Sequence, residues 1–208
     1  MKLFKNIKNW LENQEHLFYL FLFILIVPNM VLCFTEPLPF MAKVANVLLP
    51  FGCYYLLMTL SRNCGKMLWI LFLFLFFGAF QIVLLYLFGQ SIIAVDMFLN
   101  LVTTNSSEAL ELLDNLTPAI IAVIILYVPA LILGMISIIR KRKLTVEFIR
   151  RERKRAFLVF GISLLSLVGA YVQDSGYELK SDLYPLNVCY NVCLLYTSDA
   201  ADDRISVD

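Results

Sequence analysis

The chain has 208 residues, of which 61% are hydrophobic and only 16% are charged, and its formal net charge is +1. This composition excludes a soluble globular domain, in which about 25% of residues are charged and about 45–50% are apolar. It is typical of an integral membrane protein, and the small net charge by itself says little about partners.

The first eleven residues combine lysines with apolar side chains at helical spacing. Leu3, Phe4, Ile7, Trp10 and Leu11 would share one face of a helix, and the other face carries Lys2, Lys5 and Lys8. This pattern predicts a short helix lying on an anionic membrane surface. The apolar run that follows is long and lacks a small-residue cleavage site, so we expect an uncleaved anchor.

Five segments are long enough to cross a bilayer, which requires about 20 mostly apolar residues. The predicted fold is therefore an all-α polytopic membrane domain over residues 1–173, with short connections and antiparallel packing. Prolines inside three spans are predicted to mark kinks rather than breaks. The spans run from Leu17 to Phe34, Phe40 to Leu60, Met67 to Phe88, Pro118 to Ile139 and Ala156 to Val172, and the prolines are Pro28, Pro50 and Pro129.

The basic residues fall almost entirely on one side of these spans. Fourteen of the 17 Lys and Arg residues lie before span one, between spans two and three, or between spans four and five. Because positive residues are retained on the cytoplasmic side, the amino terminus is predicted to be cytoplasmic and the carboxyl terminus external. The same rule explains the run from Arg140 to Arg155 without a nucleic-acid partner.

The external loop between spans three and four carries a spaced polar trio. Asn100, Thr104 and Glu108 are four residues apart and would share one helical face, offset by about 40° per step. The residues before and within the trio are amphipathic, which predicts a periplasmic loop or helix lying along the membrane surface. Two interpretations remain open. The trio binds a polar ligand, or Asn105 and Glu108 form a capping box at the start of a short helix that continues through Leu113.

The remaining chemistry-bearing residues form no complete active site. His16 is expected at a membrane interface, and Cys64 is expected to face a reducing cytoplasm. Cys189 and Cys193 lie outside, at a spacing that matches no common zinc motif, and their pairing stays open. The sequence shows no cluster with metal-ligand spacing and no Gly-rich phosphate loop.

The topology and the loop together resemble the phosphoethanolamine transferases, the family of the lipid A modifying enzymes behind polymyxin resistance. The family's Asn, Thr and Glu loop motif falls on Asn100, Thr104 and Glu108, within Asp96-Met-Phe-Leu-Asn-Leu-Val-Thr-Thr-Asn-Ser-Ser-Glu-Ala. The segment Tyr184-Pro-Leu-Asn-Val-Cys-Tyr-Asn is similar to the family's linker after span five. The resemblance covers about residues 1 to 193 and is most specific in the loop.

The resemblance implies a location, a reaction and a set of partners. The protein would lie in a bacterial inner membrane, with its trio binding the headgroup of the donor, phosphatidylethanolamine. The family transfers phosphoethanolamine to lipid A or another envelope glycan through a threonine nucleophile activated by zinc, both in a periplasmic domain of the sulfatase superfamily. Zinc activation of a hydroxyl is sound chemistry, since the ion stabilises the alkoxide.

The end of the sequence departs from the family. Residues 174–194 are predicted as the start of a periplasmic linker. The last residues, Leu195-Tyr-Thr-Ser-Asp-Ala-Ala-Asp-Asp-Arg-Ile-Ser-Val-Asp, resemble a translated sequencing adaptor rather than native protein. We therefore expect a fragment that lacks the catalytic domain, its nucleophile and its zinc ligands, binds no cofactor and is inactive on its own.

Two alternatives remain open, one within the same superfamily and one from a different functional class. The spans could anchor a related phosphoglycerol transferase or sulfatase, or they could form a small non-enzymatic membrane protein or part of a transporter. A transporter would be expected to show paired charges or broken helices at mid-membrane, and the spans offer little beyond their prolines.

Overall fold

The computed structural model describes residues 10, 12–88, 106–191 and 193, and within these it does not describe the side chains of residues 87, 88 and 106–115. All regular secondary structure in this part of the chain is helical. Four helices are long and apolar enough to cross a membrane, and a bent pair of helices can form a fifth span. The predicted all-α polytopic fold is confirmed.

Helix α1, Gln14–Thr35, lies at the centre of the bundle. Its start is capped by Asn13, whose side chain accepts a hydrogen bond from the Glu15 amide at 2.9 Å. The helix continues through Pro28 without a break. Over its most apolar window 56% of α1 is buried, against 17% for the last spanning helix, so α1 is the helix that the others surround.

Helix α2, Phe40–Met58, and helix α6, Val146–Gln173, pack antiparallel along their lengths. At one end the Met41 amide donates to the Gln173 side chain at 2.8 Å, and at the other Arg153 donates to the Thr59 carbonyl at 2.7 Å. Between these points the helices approach closely at Gly52, where a Cβ atom would lie 3.1 Å from the Cα atom of Phe160.

The third span is bent rather than straight. Helix α3, Cys64–Ile70, and helix α4, Phe72–Phe88, meet at Leu71 with an angle of 62° between them. No proline causes this bend. The start of α3 is held against residues 137–142 because the Asn63 side-chain amide donates to the carbonyls of Ser137 and Arg142. The span predicted from Met67 to Phe88 therefore corresponds to a bent pair of helices.

Helix α5, Ser106–Ile139, is continuous through Pro118 and Pro129. The short helix and the fourth span expected separately from the sequence are parts of this one helix. Helix α6 also begins earlier than predicted, because Thr145 caps it by accepting a hydrogen bond from the Phe148 amide at 3.2 Å. The basic residues from Arg150 to Arg155 thus belong to the first turns of the helix.

The chain after α6 contains helix α7, Leu179–Asp182, and a helical stretch at residues 186–191. Helix α6 ends at Gln173. Three further predictions lie outside the described residues. They are the surface helix before residue 10, most of the amphipathic loop between spans three and four, and the non-native tail at 195–208.

Candidate functional site at the end of the bundle opposite the basic loops

The predicted headgroup trio is only partly described. Asn100 and Thr104 lie outside the described residues, and for Glu108 the structure gives the backbone alone. That backbone is in the first turn of the described part of α5. From Glu108 to the buried Leu116 the helix rises about 12 Å.

The two ends of the bundle are chemically distinct. The end at which α5 finishes contains Arg142, whose guanidinium donates to the Glu12 carbonyl at 3.0 Å, and Arg62, whose Nε donates to the Leu144 carbonyl at 3.1 Å. Because α5 runs the length of the bundle, Glu108 lies at the other end. That end also holds the connection between α1 and α2 and the end of α6.

A polar network occupies the Glu108 end of the bundle. Asn29, buried in α1, donates from its amide to the Asn46 carbonyl at 3.0 Å and to the Tyr184 carbonyl at 2.8 Å. Asn46, in α2, donates to the Asp182 carbonyl at 2.6 Å and accepts from the Tyr177 hydroxyl at 2.5 Å. The network therefore joins two spanning helices to the segment that follows α6.

Burial, with the carboxylate of Asp182 nearby, raises the pKa of Tyr177 above its usual value. The Tyr177 hydroxyl consequently stays protonated over the physiological range and remains a donor to Asn46. The bond depends little on pH, which suits a structural attachment.

A small cavity adjoins the network. Its volume is about 10 Å³, and its lining includes Lys43, Asn46 and Asp182. That space corresponds to about one water molecule and is too small for a lipid headgroup. In the described part of this end, the polar residues therefore act as packing contacts, and a headgroup site requires residues nearer Glu108.

The segment predicted as a linker folds back into the bundle. The Tyr184–Pro185 peptide bond is cis, and the Tyr184 hydroxyl donates to the Phe74 carbonyl in α4 at 3.2 Å. Asn187 and Val188 are fully buried. Residues 186–191 then run back towards α7, since the Lys180 ammonium in α7 lies 5.4 Å from the centre of the Tyr190 ring. The start of the predicted linker is thus a packed, hairpin-like element.

The sequence patterns do not predict this packing. Two polar residues inside spans, Asn29 and Asn46, are the signal that could have indicated it. A buried amide in an apolar helix requires hydrogen-bond partners, and here the partners are carbonyls of the returning segment. The amide atoms of Asn187 have no hydrogen-bond partner among the described residues.

The opposite end holds a buried carboxylate. Glu152 is fully buried at the start of α6 and accepts hydrogen bonds from the Tyr55 hydroxyl and from the guanidinium groups of Arg151 and Arg155, both at 2.9 Å. Both arginines are more than half exposed. The cluster attaches α6 to α2 and leaves the two guanidinium groups at the surface.

The described residues contain no disulfide bond and no group of three or more His, Cys, Asp or Glu side chains arranged to hold a metal ion. The zinc that the resemblance implies belongs to the catalytic domain that this chain is expected to lack. Cys189 and Cys193 are exposed and unpaired, and the other three cysteines are also free.

Comparison of the chain with known protein families, with curated proteins and with solved structures finds no match.

Proposed function

We propose that this chain is the membrane domain of a phosphoethanolamine transferase and that Asn100, Thr104 and Glu108 bind the headgroup of phosphatidylethanolamine. The complete enzyme would transfer phosphoethanolamine to lipid A or another envelope glycan. Its setting would be a bacterial inner membrane, with the basic end of the bundle in the cytoplasm and the Glu108 end in the periplasm.

One observation carries most weight. Helix α5 is continuous from Ser106 to Ile139, so Glu108 is part of a spanning helix rather than of an isolated loop. It lies about 12 Å beyond Leu116, at the end opposite the basic residues. The basic loops at the other end favour the cytoplasm. The position of Glu108 therefore supports a carboxylate near the headgroups of the outer leaflet.

The three side-chain types match the chemistry of a zwitterionic headgroup. The Glu108 carboxylate would pair with the ammonium group, and such charge-assisted hydrogen bonds are about twice as strong as neutral ones. The Asn100 amide and the Thr104 hydroxyl would donate to phosphate oxygens, which accept only. This division of roles predicts selectivity for a primary ammonium over a quaternary one, which has no N–H donor.

The packed segment after α6 provides further support. This segment is hydrogen-bonded to Asn29 of α1 and Asn46 of α2. Within it, Tyr190 lies against Lys180. The chain therefore leaves the bundle at the Glu108 end. A domain that followed it would begin near the proposed headgroup site, as transfer from a membrane lipid requires.

Lipid binding by the full chain tests the proposal. The protein would be placed in nanodiscs of phosphatidylcholine, and phosphatidylethanolamine would be titrated against it and detected by native mass spectrometry. We expect Glu108→Gln to weaken binding of phosphatidylethanolamine by about tenfold or more, since it removes a hydrogen bond to a charged group worth roughly 1.5–3 kcal/mol. Binding of phosphatidylcholine should not change.

Asp114→Asn is the matched control, because it also neutralises an acidic residue of α5 but lies about 120° around the helix from Glu108. We expect it to retain the wild-type preference. Equal losses in the two variants would indicate a general effect of acidic charge and would exclude the specific site. A Glu108-dependent preference for phosphatidylglycerol would favour the alternative phosphoglycerol transferase.

A further inference from the structure

We propose that the basic end of the bundle contains a binding site for an anionic phospholipid, separate from the phosphoethanolamine site and about the length of the bundle away from it. The site is a groove with a volume of about 490 Å³ beside the first turns of α6. Its lining combines four cations with apolar residues: Arg62, Val146, Ile149, Arg150, Arg153, Lys154 and Phe157.

The distribution of ion pairs distinguishes this groove from the rest of the basic end. Glu152 pairs with Arg151 and Arg155, on one side of α6. Glu12 lies 3.7 Å from the guanidinium groups of both Arg140 and Arg142. The positive charges of the groove are not neutralised in this way. No acidic residue is among its described lining. None of its four cations forms an ion pair with a described residue.

Two of the four cations are already oriented. Arg153 donates to the Thr59 carbonyl at 2.7 Å, and Arg62 donates through Nε to the Leu144 carbonyl at 3.1 Å. Each bond uses part of a guanidinium group that has five N–H donors, so donors remain for a phosphate. Arg150 and Lys154 complete the site from the same face of α6, at positions i, i+3 and i+4 with Arg153.

The apolar part of the lining indicates a lipid rather than a soluble anion. Phe157 is 62% exposed and lies one turn further along α6 from the cations. Beyond it, Gly161 has no neighbouring atom within 4 Å of where its Cβ would be, and Leu165 is exposed. This face of α6 is thus an exposed apolar surface that leads away from the cations. A lipid whose phosphate is held by the cations would lay an acyl chain along this surface, and basic pockets between spans bind anionic lipid headgroups in this way.

The test compares two variants that each remove two positive charges from the same end of the protein. Arg150→Gln/Lys154→Gln removes them from the groove. Neither side chain has a hydrogen bond or ion pair with a described residue, so folding should be retained. Lys141→Gln/Lys143→Gln removes them from the exposed connection before α6, outside the groove lining. Circular dichroism would check the helical content of both.

Phosphatidylglycerol would be titrated against the full chain in a zwitterionic detergent, with native mass spectrometry as the readout and phosphatidylcholine as the reference lipid. We expect the groove variant to bind phosphatidylglycerol about 30-fold more weakly, the loss typical of two cations near a lipid headgroup. The connection variant should change the affinity by less than about threefold by the same reasoning, because its cations are not in the groove.

Equal weakening in the two variants would overturn the proposal, since it would show attraction by the net charge of this end rather than a site. Glycerol 3-phosphate serves as a second probe. It has the phosphate and no acyl chain, so we expect it not to displace phosphatidylglycerol at equal concentration. Displacement would indicate a site for soluble phosphate compounds and would refute the assignment to a lipid.

Discussion

The contact between α3 and α5 gives the sharpest prediction of stability. A Cβ atom on Gly65 would lie 2.2 Å from the carbonyl oxygen of Gly134, far inside van der Waals contact. The clashing atom belongs to the backbone of Gly134, so a change of side-chain rotamer cannot relieve the clash. Gly65→Ala must therefore push the two helices apart. Close approach of this kind between small residues is a common source of stability between membrane helices.

The cost can be estimated from the structure. Overpacking a well-packed contact typically costs about 1–3 kcal/mol, and a backbone clash belongs at the upper end of that range. Replacing Gly by Ala in a helix returns up to about 1 kcal/mol, less near a helix start. We expect Gly65→Ala to lower the free energy of unfolding by about 2 kcal/mol.

Two other glycines provide matched controls for the same substitution. At Gly134 the added Cβ would first meet the Leu68 side chain at 3.2 Å, and at Gly161 it would meet nothing within 4 Å. A side chain can shift, so Gly134→Ala should cost less than Gly65→Ala. Gly161→Ala should be neutral or stabilising by up to about 1 kcal/mol.

Reversible unfolding in mixed micelles, followed by circular dichroism, measures all three variants. The predicted difference between Gly65→Ala and Gly161→Ala is about 3 kcal/mol, or about 150-fold in the unfolding equilibrium. If Gly65→Ala unfolded at the same denaturant fraction as Gly161→Ala, the close contact between the backbones of α3 and α5 at Gly65 would be refuted.

Three further predictions concern the two ends of the bundle. Glu152→Ala should cost about 1–3 kcal/mol because it removes the acceptor of a buried tyrosine hydroxyl, with the contribution of the half-exposed arginines discounted for solvent screening. Glu152→Gln should cost less than half as much by micelle unfolding, and equal costs would contradict the hydrogen bond. Asn46→Ala removes two hydrogen bonds to the returning segment, so amide exchange at residues 177–188 should accelerate by about 10- to 100-fold, whereas Ser181→Ala, at an exposed position, should leave it unchanged. A membrane-impermeant maleimide applied to intact cells should label the exposed Cys193 and not the buried Cys64, and labelling of Cys193 only after lysis would refute the outward orientation.

The spanning helices could be predicted from the sequence because the length of an apolar run is a local property. The predicted starts and ends of α1 and α2 are within three residues of those observed. The start of α6 was missed because its first turns are basic, so hydropathy alone placed them outside the helix. The Thr145 cap was the available signal.

The candidate headgroup site was predicted from spacing and resemblance, and the structure adds the helix on which Glu108 lies. The basic groove was not predictable in the same way. The sequence shows a run of Arg and Lys, but only the positions of Glu12 and Glu152 divide that run into paired cations and cations without an acidic partner.

The sequence by itself thus determined the class of protein, the location of its apolar helices and the segregation of charge, because each follows from the composition of contiguous residues. Only the tertiary structure decided the bend at Leu71, the burial of Tyr184 and the division of the basic run. These features depend on residues far apart in the chain, such as Asn46 and Asp182, that meet only when the helices pack. Hydrogen-bond partners and close backbone contacts are set by that packing, and local patterns cannot specify them.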